Sequence, residues 1–388
     1  MQKPLGRGAA ESSAESLATE RSLLGLNWLN FLVAAMQAGF GPFLSVYLTA
    51  QLWNPEDIGF ALSIGTTAAM VAQVPAGALV DAMASKRLAA RIALLAVAGA
   101  AVTIALVPMR LFVVAALVLQ AAASSMLNLA IAAITLALSH ENQLGERLGY
   151  NVRFSAVGAG IAAALMGAVG YWVSERAIFF LAAGLGIAAL AALRVIHPSD
   201  LAEAPSRTDH LSVVPRHKRT EDLRRIRDTC TDHRLLIVAS GIALFQLGNA
   251  AILPLAANAL TRTSARLADL VLPAAIIVPQ VITAILSPWI GRLAQNWGRR
   301  PVALLGLAAL PIRAALFAIS HNLVLLVSCQ ALDGISASVI GVMLPLFVAD
   351  ITRRGGRFNL GMGIVGLVSG IGATLSTSIG GAIALHFG

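Results

Sequence analysis

Apolar runs of about 20 residues recur from one end of this chain to the other, and they leave very few folds open. Their limits are roughly 23–50, 57–80, 88–108, 111–138, 150–173 and 177–196. After a polar stretch come 235–260, 267–290, 301–320, 323–349 and 358–385. Each is long enough to cross a hydrocarbon core of about 30 Å as a helix. Inside lipid no water can satisfy a bare peptide group, so a helix, which closes its own hydrogen bonds, is the economical conformation. The chain is therefore expected to be an all-α polytopic membrane protein with eleven spans, six before the polar stretch and five after it.

Composition agrees. Hydrophobic residues make up 57% of the 388 and charged residues 12%, with a mean hydropathy of +0.79. A soluble domain carries roughly a quarter charged residues. The net charge of +9 does not point to nucleic acid, because the cations sit in short stretches between apolar runs. With the amino terminus in the cytoplasm, 23 of the 28 Lys and Arg lie on the cytoplasmic side. Four (Arg110, Arg176, Arg262, Arg266) lie outside and Arg313 falls within a span. That bias sets the expected orientation. Cys230 and Cys329 offer neither a disulfide framework nor a metal spacing. The first run follows a polar stretch and is too long for a signal-peptide core, so it is read as a retained span.

The expected organisation is a polar cytoplasmic amino terminus (1–21), a six-helix bundle (22–196), a cytoplasmic linker (197–234) and a second bundle (235–388). The linker holds eight cations, seven acids and His197, His210, His217 and His233. No pair of these histidines has the tight spacing of a zinc motif, so a solvated segment is expected rather than a metal site. Part of it, around 221–227, has the character of an amphipathic helix for an anionic membrane surface.

Two short segments between spans match each other. The first runs from Gly77 through Asp81 to Lys86 and Arg87. The second runs from Gly291 through Gln295 and Gly298 to Arg299 and Arg300. Both read Gly, three residues, an acid or amide, a tight turn, then two adjacent cations. The repeat extends further: Gln120 and Gln330 open matching spans, as do Asn151 and Asn359. Such near-constant offsets indicate two halves of like build. The chain resembles the major facilitator superfamily, whose loop motif these segments match in both halves. The resemblance covers all but the last span, since a twelfth would open near position 386 and the sequence stops at Gly388. The fold it implies is two pseudo-repeated six-helix bundles, with the twelfth helix expected to be missing from this chain, either because the protein lacks it or because the sequence is a truncated or differently spliced product.

The resemblance makes Asp81 one side of a conformational latch, binding a cation or a helix amino terminus in one state and releasing it in another. Gln295 stands where the second copy would carry an acid, and Ala84 where the first would carry the turn glycine. Read from the residues alone, the cations simply anchor a loop at the membrane face.

Arg313 and Asp333 are the sharpest chemical signals. At 1.5 Å per residue both fall near the midplane, where a charge costs about 2.5–3.5 kcal/mol and is retained when it is paired or functional. A substrate or proton site and a plain ion pair between neighbouring helices both fit. Gln37, Gln120, Asn128, Gln246 and Asn249 are softer candidates for a substrate site, with Asn27, Asn30 and Gln73 beside them; amides at that depth also serve helix packing. The amino-terminal half places no acid at cavity depth.

Glycines crowd two spans (158, 160, 167, 170 and 361, 363, 366, 370, 372), at spacings that let helices approach closely. They lack a P-loop lysine, so phosphate cradling is not expected. Prolines 42, 75, 254, 273, 279, 311 and 345 interrupt spans, where kinks are tolerated. His140 and Glu141 form a local acid–base pair, read as solvated loop, and no nucleophile–base set suggests an enzyme.

The function expected is therefore a secondary active transporter in the inner membrane. It would move a small molecule by alternating access, as a monomer in lipid, without a cofactor. Resemblance to bacterial efflux members favours proton-coupled export, with Asp333 as the protonatable group. An importer or facilitator of the same fold is the nearest alternative, and a non-transporting receptor or a membrane enzyme the more distant one.

Overall fold

The computed structural model describes residues 5–40, 42–198, 227–253, 255, 265–319, 323–353 and 355–387. Most of the linker, including the proposed amphipathic stretch, His210 and His217, lies outside them, as does Pro254. Twelve α-helices occur among the described residues. They are α1 (Leu5–Ala38), α2 (Pro42–Ala50), α3 (Pro55–Ala82), α4 (Lys86–Leu106), α5 (Arg110–Leu138), α6 (Leu144–Trp172) and α7 (Glu175–Val195) in the first half. The second half contributes α8 (His233–Asn249), α9 (Ala265–Asn296), α10 (Arg299–Ile319), α11 (Leu323–Thr352) and α12 (Phe358–Phe387).

Ten of these segments are long and apolar enough to cross a membrane, α1 and α2 counting together as Glu20–Ala50. The eleventh expected span, 235–260, contains α8, and its last residues lie outside those described. Large apolar side chains such as Leu111, Ile319, Leu244 and Trp289 stand more than two-thirds exposed, which a lipid solvent explains and water does not.

The element edges follow local chemistry. Pro55 starts α3, where its missing N–H costs nothing. Ser85 caps α4 by accepting from the Leu88 N–H (3.2 Å), and Ser174 and Asp232 do the same for α7 and α8. Gly298 turns the chain between α9 and α10 with φ of +89°, a left-handed conformation that glycine adopts without strain. The first expected span is broken between α1 and α2, at the Gly39–Pro42 step. The polar amino terminus is helical from Leu5, in keeping with its Ala, Glu and Leu content.

The close helix crossings reveal the duplication directly. A Cβ at Gly77 of α3 would sit 2.3 Å from the Asn359 carbonyl oxygen of α12, and one at Gly291 of α9 would sit 2.2 Å from the Gly145 carbonyl oxygen of α6. One turn along, Gly363 meets the Gln73 carbonyl and Gly149 the Ser287 carbonyl, at 2.4 and 2.3 Å. All four residues of one crossing lie 214 positions from their counterparts in the other. Within the halves, Gly158 meets Phe31 of α1 and Gly372 meets Ala243 of α8, both at 2.3 Å. These pairs correct the register read from the sequence. The counterpart of Asn359 is Gly145 rather than Asn151, because α6 opens at Leu144 and Asn151 lies two turns inside it.

Contacts between the halves gather at the end of the molecule that carries the loop motifs. Val74, Ala78, Ala132 and Leu136 of the first half pack on a core of Leu235, Ala239, Val348 and Phe358. Leu148, with Leu144 and Val152, joins Ala294, Val302, Val339 and Val342.

Candidate functional site

The first loop motif is a clasp between the halves. Asp81, in the last turn of α3, faces the open amino terminus of α12. Its Oδ1 accepts from the Asn359 backbone N–H (3.2 Å) and side-chain Nδ2 (2.7 Å), and its Oδ2 accepts from the Leu360 N–H (2.9 Å). A carboxylate there satisfies donors the helix cannot use and meets the positive end of its dipole. Of the two latch partners the sequence allowed, the helix amino terminus is the one engaged. Gly77, one turn earlier, is what lets the α12 backbone come within reach.

Lys86 does not bond the Asp81 carboxylate. Its Nζ donates to the carbonyls of Val80 (2.6 Å), Met83 (2.9 Å) and Asp81 (3.3 Å), closing the carboxyl end of α3. Arg87 donates to the Leu193 carbonyl in the last turn of α7 (3.3 Å). The two cations therefore tie the clasp to its own half.

The second copy is weaker and differently wired. Gln295 donates from Nε2 to the Asn142 carbonyl, just before α6. Arg292 pairs with Glu146 of α6 at 2.7 Å, with both side chains substantially exposed. Arg299 pairs with Asp350 and donates to the Leu346 carbonyl (3.2 Å), within the second half. Arg300 is exposed at the start of α10. Glycine seams are thus duplicated, while a carboxylate on a helix amino terminus occurs in the first copy.

The midplane charges meet. Arg313 of α10 is 2% exposed and donates through Nη1 to Asp333 Oδ1 of α11 (2.6 Å) and Asn249 Oδ1 of α8 (2.6 Å). Its Nη2 donates to Gln330 Oε1 of α11 (2.7 Å). Phe317 lies under the guanidinium, 5.6 Å from centroid to Cζ. Asp333 is the open member, with 27% of its side chain accessible. A buried guanidinium on three helices holds them together only while its charge is answered, so the carboxylate is the sensitive element.

The amide candidates do not merge into one cluster. Gln37 of α1 donates to Asn128 of α5 (3.3 Å), joining two helices of the first half. Gln120 donates to Ser124 of its own helix (3.0 Å). Asn249 belongs to the Arg313 network, and Gln246 has no side-chain hydrogen bond among the described residues. Asn30 bonds back to the Leu26 carbonyl (2.8 Å), which is packing. Gln73 lies against Gly366 in the seam between the halves.

Sequence reasoning missed a second buried cation. Arg147 of α6, 9% exposed, donates to Asn27 Oδ1 (2.5 Å), Asn151 Oδ1 (3.2 Å) and the Leu23 carbonyl (3.3 Å), and Asn151 in turn donates to Thr135 (2.7 Å). The sequence counted Arg147 as one more cation at a membrane face. Asn27 and Asn151 at nearby depth were its available signal.

Two helical halves, sealed against each other at one end by glycine seams and a carboxylate clasp, define a polytopic membrane transporter. The sequence profile of the Major Facilitator Superfamily matches residues 26–260 and 235–388, and the chain belongs to that family. An uncharacterized MFS-type transporter of Mycobacterium tuberculosis is 36% identical over 371 residues, covering 94% of this chain and 86% of that protein. Shorter stretches resemble the class B tetracycline resistance protein of Escherichia coli (34% over 101 residues, 26% of this chain and 25% of that protein). Multidrug resistance protein 2 of Bacillus subtilis matches similarly, at 29% over 128 residues, 29% of this chain and 31% of that protein. The family points to a transporter rather than an enzyme, with a small-molecule substrate and a lipid surround.

Proposed function

We propose that this chain is a proton-coupled exporter of the inner membrane, acting as a monomer with its amino terminus in the cytoplasm. Residues 22–196 and 235–388 are its two rocking units, with 197–234 as a cytoplasmic linker. On this reading the motif end is the cytoplasmic end, which the Lys and Arg bias supports. The conformation described above is then the one closed toward the cytoplasm, with the Asp81 clasp engaged. The single observation that carries alternating access is that clasp. A carboxylate of one half grips the helix amino terminus of the other, an interaction that exists in one arrangement of the halves and is lost in the other.

Coupling is assigned to Asp333. It is a membrane-embedded carboxylate that is partly accessible and bonded to a cation shared by α8, α10 and α11. Protonation frees Arg313 from its charged partner and leaves it with two neutral oxygens, which alters the balance among those helices. The partial likeness to tetracycline and multidrug resistance proteins supports export.

Transport into proteoliposomes under an imposed pH gradient, screened over a metabolite and drug panel, tests the reading. Asp333→Asn is expected to abolish accumulation against a gradient while leaving substrate exchange at zero gradient. Gradient-driven accumulation surviving in Asp333→Asn removes Asp333 from coupling. Flux indifferent to the pH gradient makes the protein a facilitator.

A further inference from the structure

The first half carries a pair of amides that its own packing does not use up. Gln37 of α1 donates through Nε2 to Asn128 Oδ1 of α5 (3.3 Å). That bond leaves the Gln37 carbonyl oxygen and the Asn128 NH2 without a hydrogen bond among the described residues. Asn128 is exposed, although Leu127, Leu129 and Ala130 beside it are buried. The exposure is not toward lipid. Trp28 and Leu119, each about half exposed, lie nine residues before Gln37 and Asn128 respectively, on the opposite face of their helices.

One turn along α5 from Asn128, Ala132 packs into the seal between the halves, as does Leu136 a turn later. The amide pair therefore stands just beyond the seal, toward the end opposite the motifs. Asn128 is ten residues from the end of α5 at Leu138, about 15 Å at 1.5 Å per residue. That is the middle of a core of roughly 30 Å. Ser124 lies one turn further out on the same face. α7 already seats elsewhere on α1, at Gly25 and Gly39, so the amide face is not a place left for another span of this half.

The surroundings of the pair are polar only through neutral groups. No Asp, Glu, Lys or Arg occurs in 22–55, 58–80, 111–138, 154–174, 270–291 or 358–385, the stretches that flank the amides or meet between the halves. Asp333, on α11, is already answered by Arg313 at 2.6 Å. A charged molecule drawn out of water at this depth finds no counter-charge, which is costly. An uncharged one bearing a hydroxyl or amide finds one donor and one acceptor. A site built on such groups also rejects analogues that cannot pair with them.

Given a transporter, and whatever its coupling, we infer that Gln37 and Asn128 bind the transported molecule, which is uncharged and presents a hydroxyl or amide to them.

The full-length protein in phosphatidylcholine nanodiscs is heated with matched triples of probes, and its unfolding midpoint is read. One triple is chloramphenicol, its deacylated amine and its succinate ester. Another is N-acetyltyramine, tyramine and 3-(4-hydroxyphenyl)propanoate. Each offers an uncharged, a cationic and an anionic form of a like skeleton. Binding to the folded state raises the midpoint. An uncharged member should act at a concentration at least tenfold below its charged forms. Asn128→Leu and Gln37→Leu should each raise that concentration at least tenfold, which partitioning into lipid would not do. Asn128→Asp, which supplies a charge, should turn the preference toward the amine. Stronger action by a charged form in the unaltered protein overturns the inference, as does the lack of any shift by an uncharged member. Undiminished action in both leucine variants, or an unchanged preference in Asn128→Asp, overturns it as well. None of these readouts uses a gradient, so flux indifferent to pH counts against proton coupling alone.

Discussion

Replacing Asp81 with Asn should loosen the closed end of the transporter by a calculable amount. The carboxylate accepts three hydrogen bonds, two on Oδ1 and one on Oδ2. Asparagine offers one oxygen for the Asn359 donors, and its own NH2 then faces the Leu360 N–H, donor against donor. At least one charge-assisted bond is lost, worth about 1.5–3 kcal/mol, along with a helix-dipole contribution of about 0.3–1 kcal/mol. Residual solvation of the freed Leu360 N–H offsets part of this. A net bias of about 2 kcal/mol moves the ratio of closed to open arrangements roughly 30-fold. A cysteine at Ala78, which packs in the seam between the halves, reads that ratio if native Cys230 and Cys329 are replaced. Its alkylation in membranes, if it needs opening, should speed up by about the same factor, and transport should fall while expression holds. An unchanged labelling rate together with unchanged transport would refute the clasp and leave Asp81 a topological anchor.

Three further outcomes are expected. Gly149→Ala places a Cβ 2.3 Å from the Ser287 carbonyl and should push α6 from α9, lowering thermal stability, whereas Gly160→Ala meets nothing and should leave the midpoint unchanged. Asp333→Leu alone should cost roughly 3–5 kcal/mol by leaving the buried Arg313 unanswered, Arg313→Met less because Asp333 is partly accessible, and the double variant less than Asp333→Leu; expression in the double variant should therefore recover, and additive losses would mean that the pair contributes nothing as a pair. Pro215→Cys, in the linker, should resist an impermeant maleimide added outside intact cells, and labelling there would invert the proposed orientation.

The spans were legible because lipid imposes one demand along their whole length, and apolar runs meet it visibly. Arg313 and Asp333 were legible for the converse reason, since a charge inside such a run is costly wherever it points. The clasp was only half legible. Asp81 stood out within its motif, but its partners Asn359 and Leu360 are 278 and 279 positions away and two of the three donors are backbone N–H groups, which no residue type announces. The repeat register failed at Asn151 for a related reason. An amide near the start of a span is weak evidence beside a glycine whose missing Cβ is required by a neighbouring carbonyl, and only the packed structure shows which glycines are so used. Arg147 escaped because its partners Asn27, Asn151 and the Leu23 carbonyl carry no charge, so no pairing pattern marked it.

The duplication has diverged along physical lines. Shape has been kept in both copies, since Gly77 and Gly291, or Gly149 and Gly363, cannot gain a side chain without parting two helices. Charge has not: Asp81 answers to Gln295, and the Arg313 network has no counterpart on α4, whose buried positions are aliphatic. On the proposed reading this asymmetry gives each half a separate task, with the first holding the closed end and the second carrying the proton. The two devices nevertheless act on one pair of helices. Asp81 grips α12, α12 crosses α8 where a Cβ at Gly372 would lie 2.3 Å from the Ala243 carbonyl, and α8 supplies Asn249 to Arg313. A crossing that close has no slack for gradual deformation. Charge neutralised at Asp333 and a clasp released at Asp81 would therefore both be expressed as movement of α8 and α12 together, which is the contact through which a proton on one side of the bundle can bear on the seal at its end.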